Sequence, residues 1–254
     1  MAQDRFPFLA DTIRVLWLDD DEGLLEIYRS WFADYPFYHF DAALTVEDGW
    51  RQVTQNDPYH VLLYDLTVPD SAGRGMDLIR RCARETACLI ATAMDDSDLM
   101  FGACNAGAVD LVRKGPMAEA TLLPVVNAWF LRSLLGVLPG ANAKQAMQRI
   151  AEALVDCHAA SVGEVARLAR MDRSRVKRVC AACYRLQARL VVSVVRAYCA
   201  AFAEYGLCPG GAHARPMSEV DLAIAASDFA AHPEAVARFL RRGQPPARRT
   251  MLSP

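Results

Sequence analysis

The sequence predicts an α/β fold in its first half, a doubly wound parallel sheet of five strands, followed by an all-α domain. Short apolar runs alternate with amphipathic segments of helical period as far as about residue 135, a pattern typical of parallel sheets with helices on both faces. From residue 142 onward, apolar residues recur only at helical spacing. A chain of 254 residues is long enough for two ordinary domains.

Five short apolar runs are the predicted strands, with helices between them. The first run, IRVLWL, is followed by a stripe of apolar residues at helical spacing, and the last by a long apolar helix. The predicted strands are Ile13–Leu18, Tyr38–Ala42, His60–Tyr64, Cys88–Ala91 and Val109–Arg113, and the predicted helices include 24–32, Val46–Val53 and Glu119–Leu135.

Polar side chains follow four of these strands, where each strand ends. They are Asp19-Asp20, Asp65, Thr92 and Lys114. Right-handed crossovers place the carboxyl ends of parallel strands at one edge of the sheet, where ligands bind. We therefore expect these side chains to meet.

The chemistry of this set is that of a metal-assisted phosphoryl site. Asp19, Asp20 and Asp65 offer the oxygen ligands that Mg²⁺ prefers, and the metal would stabilise charge on a phosphoryl group. Asp65 would act as the nucleophile and form an acyl phosphate. Lys114 and Thr92 would contact its oxygens, and the Thr92 contact would form only when phosphate is present.

Residues 13–135 resemble the receiver domain of two-component response regulators. The matching motifs are LDDDE (18–22), YDLTVP (64–69) with Gly73 eight residues after Asp65, IATA (90–93) and AGAVDLVRKG (106–115). The resemblance implies that Asp65 accepts phosphate from a sensor histidine kinase and that the backbone of Thr67 joins Asp19, Asp20 and Asp65 around Mg²⁺. It also implies that Thr92 and Lys114 bind the phosphate.

Three positions depart from the receiver pattern. The segment Ser71–Met76 is about two residues longer than the usual turn before the third helix, and Gly115 replaces the usual proline. A cis peptide there is therefore not expected. Leu111 replaces an aromatic residue that often takes part in switching, so we expect coupling mainly through Thr92.

The two halves differ in charge and meet near a helix break. Residues 1–140 carry 11 lysines and arginines against 21 acidic residues, and residues 141–254 carry 17 against 9. A basic second half favours a polyanionic partner, although solvated surfaces would look similar.

Leu138-Pro139-Gly140 ends the preceding helix. We predict a receiver over 1–137, a linker over 138–141, a helical domain over 142–243 and a disordered tail over 244–254. The surplus apolar residues of Glu119–Leu135 would meet either a second copy, in a homodimer, or the helical domain.

The helical half contains a predicted helix-turn-helix unit. Ser161 begins a capping box and Asp172 caps the next helix, so Val162–Ala169 and Arg173–Cys183 flank a three-residue turn. In such units the second helix enters the major groove of DNA. The region resembles the AraC-type DNA-binding domain, with Gln187–Tyr205 as the connecting helix and Glu219–Gly243 as a second unit. The candidate DNA contacts are Arg173, Ser174, Arg175, Lys177, Arg178, Arg238, Arg241 and Arg242.

We expect a cytoplasmic transcriptional regulator controlled by phosphorylation, with a histidine kinase and double-stranded DNA as partners. No signal peptide or membrane span is predicted, and the cysteines are interpreted as small buried hydrophobic residues. We expect no enzyme activity beyond the gain and loss of phosphate at Asp65. One alternative is a signalling adaptor whose helical domain binds protein, since Asp221, Asp228 and Glu234 make the second unit less basic. The other is an enzymatic output domain, for which the only histidines are the widely spaced His158, His213 and His232.

Overall fold

A computed structural model describes residues 9–93, 96–114, 118–139, 143–209 and 217–241. The first part is a five-stranded parallel sheet, as the sequence predicts. The strands are β1 (Ile13–Leu18), β2 (Tyr38–Ala43), β3 (Val61–Tyr64), β4 (Ala87–Thr92) and β5 (Asp110–Arg113). Their order in the sheet, β2-β1-β3-β4-β5, is that of flavodoxin-like folds.

Five helices cover the two faces of this sheet. Capping side chains begin three of them, because Asp21, Thr45 and Asp96 accept hydrogen bonds from backbone N–H groups of the first turn. α2, α3 and α4 cover one face, and α1 and α5 cover the other. The helices are α1 (Glu22–Ala33), α2 (Val46–Gln55), α3 (Met76–Cys82), α4 (Ser97–Ala106) and α5 (Ala118–Leu134).

The extra residues before α3 form a π-helical turn over Ser71–Gly75. The hydroxyl of Tyr64 donates to the hydroxyl of Ser71 at 3.0 Å and lies so close to Gly75 that a Cβ there would overlap it. Asp70, just before the turn, has φ 66°. The extra residues are thus accommodated in the turn after β3, and β3 still ends just before Asp65.

The second part consists of helices, as the sequence predicts. The long helix expected over Gln187–Tyr205 is present over Ala188–Glu204. Two helices change to π-helical geometry at their ends, over Glu152–Asp156 and Cys180–Tyr184. The α-helices are α6 (Gln145–Ala151), α7 (Val162–Leu168), α8 (Arg173–Val179), α9 (Ala188–Glu204), α10 (Glu219–Ala231) and α11 (Pro233–Leu240).

One continuous apolar core joins the two parts, and we call their contact the docking seam. Ring pairs cross it: Phe130 lies 4.9 Å from Tyr198, and Phe37 lies 5.3 Å from Phe202, between ring centroids. The surplus apolar surface of α5 therefore packs against the helical part of the same chain. The seam comprises Thr12, Phe37, Tyr38, His60, Asn127 and Phe130 on the sheet side and Tyr198, Phe202, Tyr205, Leu207 and Leu240 on the helical side.

Hydrogen bonds fix the register of the docking seam. Buried Asn127 accepts from the Tyr38 hydroxyl at 2.6 Å and donates to the Leu207 carbonyl at 3.0 Å. The Tyr198 hydroxyl donates to the Thr12 hydroxyl at 2.8 Å. Because buried polar groups are costly when unpaired, these bonds select one docked arrangement.

His60 makes a further polar contact across the seam. Its Nδ1 accepts from the backbone N–H of Arg14, and its Nε2 lies 3.0 Å from the carbonyl oxygen of Leu240. Since the Leu240 carbonyl can only accept, Nε2 carries the proton and the ring is neutral. Burial lowers the pKa of His60 to about 4, which agrees with the neutral form.

The predicted linker and tail are only partly described. Leu138, at the start of 138–141, is buried, whereas residues 140 and 141 and the tail 244–254 lie outside the described residues. The proposed domain limits stay predictions.

In the described part of the chain no single helix has the length and apolarity to cross a membrane. Among the described residues, α8 with its π-helical extension and α9 together reach that length and apolarity, but the two are bent by 76°.

Candidate functional site

The candidate site lies at the carboxyl edge of the sheet, between β1 and β3, where the strand order reverses. Backbone bonds extend the ladder beyond the strand ends, from the Asp65 N–H to the Leu18 carbonyl at 2.9 Å and from the Lys114 N–H to the Thr92 carbonyl at 3.2 Å. Side chains on the loops that follow are therefore held by the sheet. Such a switch point is where ligands bind in open α/β sheets.

Three carboxylates converge there. Asp19, Asp20 and Asp65 each offer one oxygen, and these oxygens lie within 4.8 Å of one another. Asp19 and Asp65 are buried, whereas Asp20 is exposed. The cluster therefore opens to solvent on the Asp20 side and has the oxygen donors that suit a hard divalent cation.

Lys114 bridges the two buried carboxylates. Its Nζ lies 2.5 Å from Asp19 Oδ2 and 2.5 Å from Asp65 Oδ2. Burial raises the pKa of Asp19 above its usual value, despite the lysine. Burial also acts to raise the pKa of Asp65, but hydrogen bonds from Lys114 and Thr67 outweigh it, so that pKa is lowered. The lowered pKa keeps Asp65 ionised, as a nucleophile must be.

Thr67 contributes more than the sequence suggests. Its backbone N–H donates to Asp65 Oδ1 at 3.1 Å, and its hydroxyl donates to Asp65 Oδ2 and lies 3.4 Å from Asp20 Oδ1. The sequence predicts a role only for the Thr67 backbone. The sequence places a hydroxyl two residues after the nucleophile. Only the loop conformation shows that this hydroxyl turns back toward the Asp65 carboxylate.

The remaining predicted residues lie on the two neighbouring strands. Thr92 is the last residue of β4 and is fully buried, and it pairs in register with Arg113 of β5, next to Lys114. Leu111, in place of the usual aromatic residue, is partly exposed on β5. Gly115 lies outside the described residues. All five acidic, hydroxyl and ammonium side chains of the predicted set therefore belong to one edge of the sheet.

Comparison with known proteins identifies this part of the chain. Residues 15–127 match the family described as response regulator receiver domain. The N-terminal part of the chain is a response regulator receiver domain. The regulatory protein VanRB of Enterococcus faecalis (strain ATCC 700802 / V583) is 28% identical to the chain over 122 residues, 48% of this chain and 54% of VanRB. The chain thus spans about half the length of this curated relative.

Solved receiver structures are similar over a comparable share of the chain. A CheY-like receiver domain protein from Methanospirillum hungatei JF-1 is 21% identical and covers 48% of this chain and 95% of its own, with a TM-score of 0.43. A receiver domain protein from Clostridium thermocellum is 24% identical and covers 48% of this chain and 98% of its own, with a TM-score of 0.43.

Beyond the receiver domain, α7 and α8 form a compact pair with the predicted caps. Ser161 accepts from the Glu164 N–H at 3.2 Å, and Asp172 accepts from the Arg175 N–H at 2.7 Å. The Glu164 carboxylate accepts from the Ala160 N–H at 2.6 Å, one residue earlier than in a capping box. Arg170, in the turn, has φ 52°, a left-handed conformation in which glycine is more usual.

The candidate DNA contacts on α8 face outward. Val176 is buried and attaches the helix to the core, whereas Arg173, Ser174, Arg175, Lys177 and Arg178 are exposed. The guanidinium of Arg173 lies against Gly163 of α7. Arg175, Lys177 and Arg178 therefore make up most of the outward basic face.

The predicted second unit has a different geometry. His232 alone separates α10 from α11, so no three-residue turn divides them. Arg238 and Arg241 are exposed, Arg242 lies outside the described residues, and the Leu240 carbonyl is held by His60 across the docking seam. The sequence could not show this, because the contact joins residues 180 positions apart.

Proposed function

We propose that this chain is a DNA-binding response regulator, in which Asp65 accepts phosphate from a sensor histidine kinase and α8 contacts double-stranded DNA. The observation that carries the proposal is the pairing, in one chain, of an ionised acceptor bridged to Lys114 with an outward basic helix. Each is supported by its own contacts.

Phosphate transfer would use the groups at the edge of the sheet. An oxygen of Asp65 attacks phosphorus while the bond from phosphorus to the donor's histidine nitrogen breaks, which gives an aspartyl phosphate. Lys114 then pairs with the new phosphate oxygens, and the Thr92 hydroxyl donates to one of them. Hydrolysis of this acyl phosphate resets the site, and we propose no other reaction for the chain.

Mg²⁺ fits the acidic cluster, because three carboxylate oxygens within 4.8 Å of one another match its preference for oxygen donors. Asp19, Asp20, Asp65 and the backbone of Thr67 would hold it. When bound, the ion neutralises charge on the transferring phosphoryl group.

On the output side, α8 would lie in the major groove. Arg175, Lys177 and Arg178 would contact phosphates or base edges, with arginine suited to guanine. Ser174 lies on the same helical turn. Arg173, whose guanidinium lies against Gly163 of α7, would contact a DNA phosphate. Arg238, Arg241 and Arg242 would add backbone contacts from the second unit.

DNA binding is tested with full-length protein by footprinting and by titration at several salt concentrations. We expect the affinity to fall steeply with salt, and Arg175→Ala to weaken binding and to reduce the salt slope by about one if that arginine contacts a phosphate. Arg80→Ala, which removes an exposed arginine from α3 of the receiver, is the matched control and should leave both unchanged. An absence of any footprint would refute the DNA assignment.

A signalling adaptor is the second candidate function. Two observations favour this function. His232 alone separates α10 from α11, and α11 is attached to the receiver. These features leave one complete helix-turn-helix unit among the described residues. If α8 binds protein, the wild type should bind DNA only weakly and show no footprint at any salt concentration. The Arg175→Ala variant should then bind DNA with the same weak, nonspecific affinity.

A further inference from the structure

A cavity of about 180 Å³ lies between the start of α7 and the facing sides of α9 and α10. Its apolar wall includes Val192, Met217 and Ile224, and two ion pairs border it. Arg189 pairs with Asp228 at 2.7 Å, and Arg196 pairs with Asp221 at 3.3 Å. The cavity is separate from both the Asp65 site and the outward face of α8.

Asp228 is the unusual member of this lining. It is 8% exposed, and only its Oδ1 is engaged, by Arg189. Its Oδ2 is buried and has no hydrogen-bond partner among the described residues. A buried carboxylate oxygen without a donor is costly, and this one belongs to a residue that lines an open space large enough for a small molecule.

We propose that this cavity binds a small organic cation, a primary ammonium group attached to a short branched aliphatic body. The ammonium group would donate to the Asp228 carboxylate, which would rotate to bring its unpartnered oxygen to the cavity surface, and the aliphatic body would pack against Val192, Met217 and Ile224. This binding site is independent of the proposed DNA function.

Charge favours a cation over a neutral or anionic ligand. Both arginines of the lining already face a carboxylate, so the atom that lacks a partner is an acceptor. The Arg189 side chain is 70% exposed and the Asp228 side chain 11% exposed. Water therefore screens the positive charge of Arg189 more than the negative charge of Asp228, and an ammonium group gains a poorly screened partner.

Size limits the aliphatic body. An apolar protein cavity of about 150 Å³ holds a benzene molecule, which has six carbon atoms. A ligand of about six heavy atoms therefore fits the present space, and 3-methylbutylammonium has six. Its branched end matches the aliphatic wall.

Occupation of the cavity would reach the start of the α7–α8 pair. Arg196 donates to the Ala160 carbonyl at 3.2 Å and to Asp221 at 3.3 Å, so it connects the residue before the Ser161 cap to α10. A ligand beside Arg196 contacts the groups that fix where α7 begins.

Calorimetric titration of the full-length protein tests the proposal. The probes are 3-methylbutylammonium, the uncharged 3-methylbutan-1-ol and the anionic 4-methylpentanoate. We expect saturable binding of the ammonium compound, with the alcohol and the carboxylate each weaker by about tenfold or more. Equal affinities for the three probes, or no saturable heat with the ammonium compound, would overturn the assignment.

Two variants locate the binding site. Asp228→Asn keeps the shape but removes the charge and should weaken ammonium binding by about tenfold or more, whereas Asp77→Asn, on the exposed surface of the receiver, should not. Ser193→Leu fills the cavity with Asp228 intact and should also abolish binding, which guards against a folding defect in the first variant. Unchanged affinity in either cavity variant would refute the site.

Discussion

The two edges of the receiver sheet differ in chemistry. The carboxyl edge holds three carboxylates and Lys114, and one of its members faces solvent. The opposite edge forms the docking seam, where rings and neutral hydrogen bonds predominate and His60 is uncharged. The carboxyl edge suits the gain and loss of a charged phosphate group, and the opposite edge suits a permanent contact between the two parts of the chain.

The strands connect these edges over a short distance. β3 begins just after His60 and ends just before Asp65, and β1 begins just after Thr12 and ends just before Asp19. A close-packed sheet transmits small displacements because its interior has little free volume. We therefore expect phosphorylation to leave the helical part docked and to act on it through β1, β3 and α5.

The largest expected effect concerns the carboxyl edge alone. Asp65→Asn removes the nucleophile, so labelling by radioactive acetyl phosphate should fall to background, while the docking seam stays intact. Asp70→Asn, which keeps a residue that tolerates φ 66°, is the control and should be labelled normally. Wild-type labelling of Asp65→Asn would place the acceptor elsewhere.

Phe130→Ala should give the largest change at the docking seam. This fully buried ring contacts Tyr198 and His60, and removing it should lower the free energy of unfolding by about 3–5 kcal/mol. Chemical denaturation measures the loss. Phe101→Ala, which removes an exposed ring from α4, should cost little. A loss of Asp65 labelling in folded Phe130→Ala protein would show that the two edges are coupled more tightly than we infer.

Lys114→Met tests how the carboxyl edge tolerates its buried charges. Without the bridging ammonium group, Asp19 and Asp65 lose their shared partner, and the free energy of unfolding without divalent cations should fall by about 3 kcal/mol. Addition of Mg²⁺ should recover more stability in the variant than in the wild type. Equal Mg²⁺ effects on both proteins would argue against the acidic cluster as the metal site.

A smaller effect should follow pH at the docking seam. The pKa of His60 is lowered to about 4 from 6.5, so the unfolded chain binds the proton more readily and stability falls as pH decreases below about 6.5. At pH 5 the loss from this group should be roughly 2 kcal/mol. His60→Gln, which stays neutral, should show a flatter pH dependence of unfolding than the wild type. An unchanged slope in His60→Gln would contradict the neutral seam.

The sequence predicts the carboxyl edge much better than the docking seam. Asp19, Asp65 and Lys114 could be found because each follows an apolar run of strand length, and parallel topology brings strand ends together. Their exact partners, such as the Thr67 hydroxyl on Asp65, depend on loop conformation. The bounds of the long helix were predictable from its period of apolar residues.

The docking seam was open to two interpretations because its residues look like ordinary core. Phe130 and Asn127 lie on a helix whose surplus apolar surface suits a second copy or a neighbouring domain equally well. Only the three-dimensional structure shows that Tyr198 and Leu207 of the same chain cover it. The unpartnered oxygen of Asp228 likewise follows from packing between α9 and α10, which no local pattern encodes.

Sequencing of genomic DNA fragments retained by the full-length protein, with and without beryllofluoride and Mg²⁺, tests most directly whether phosphorylation controls DNA binding. We predict a defined set of enriched fragments whose occupancy changes with beryllofluoride in the wild type and not in Asp65→Asn. Flat enrichment in both states would contradict the claim that phosphorylation at one edge of the sheet controls DNA binding by the helical part.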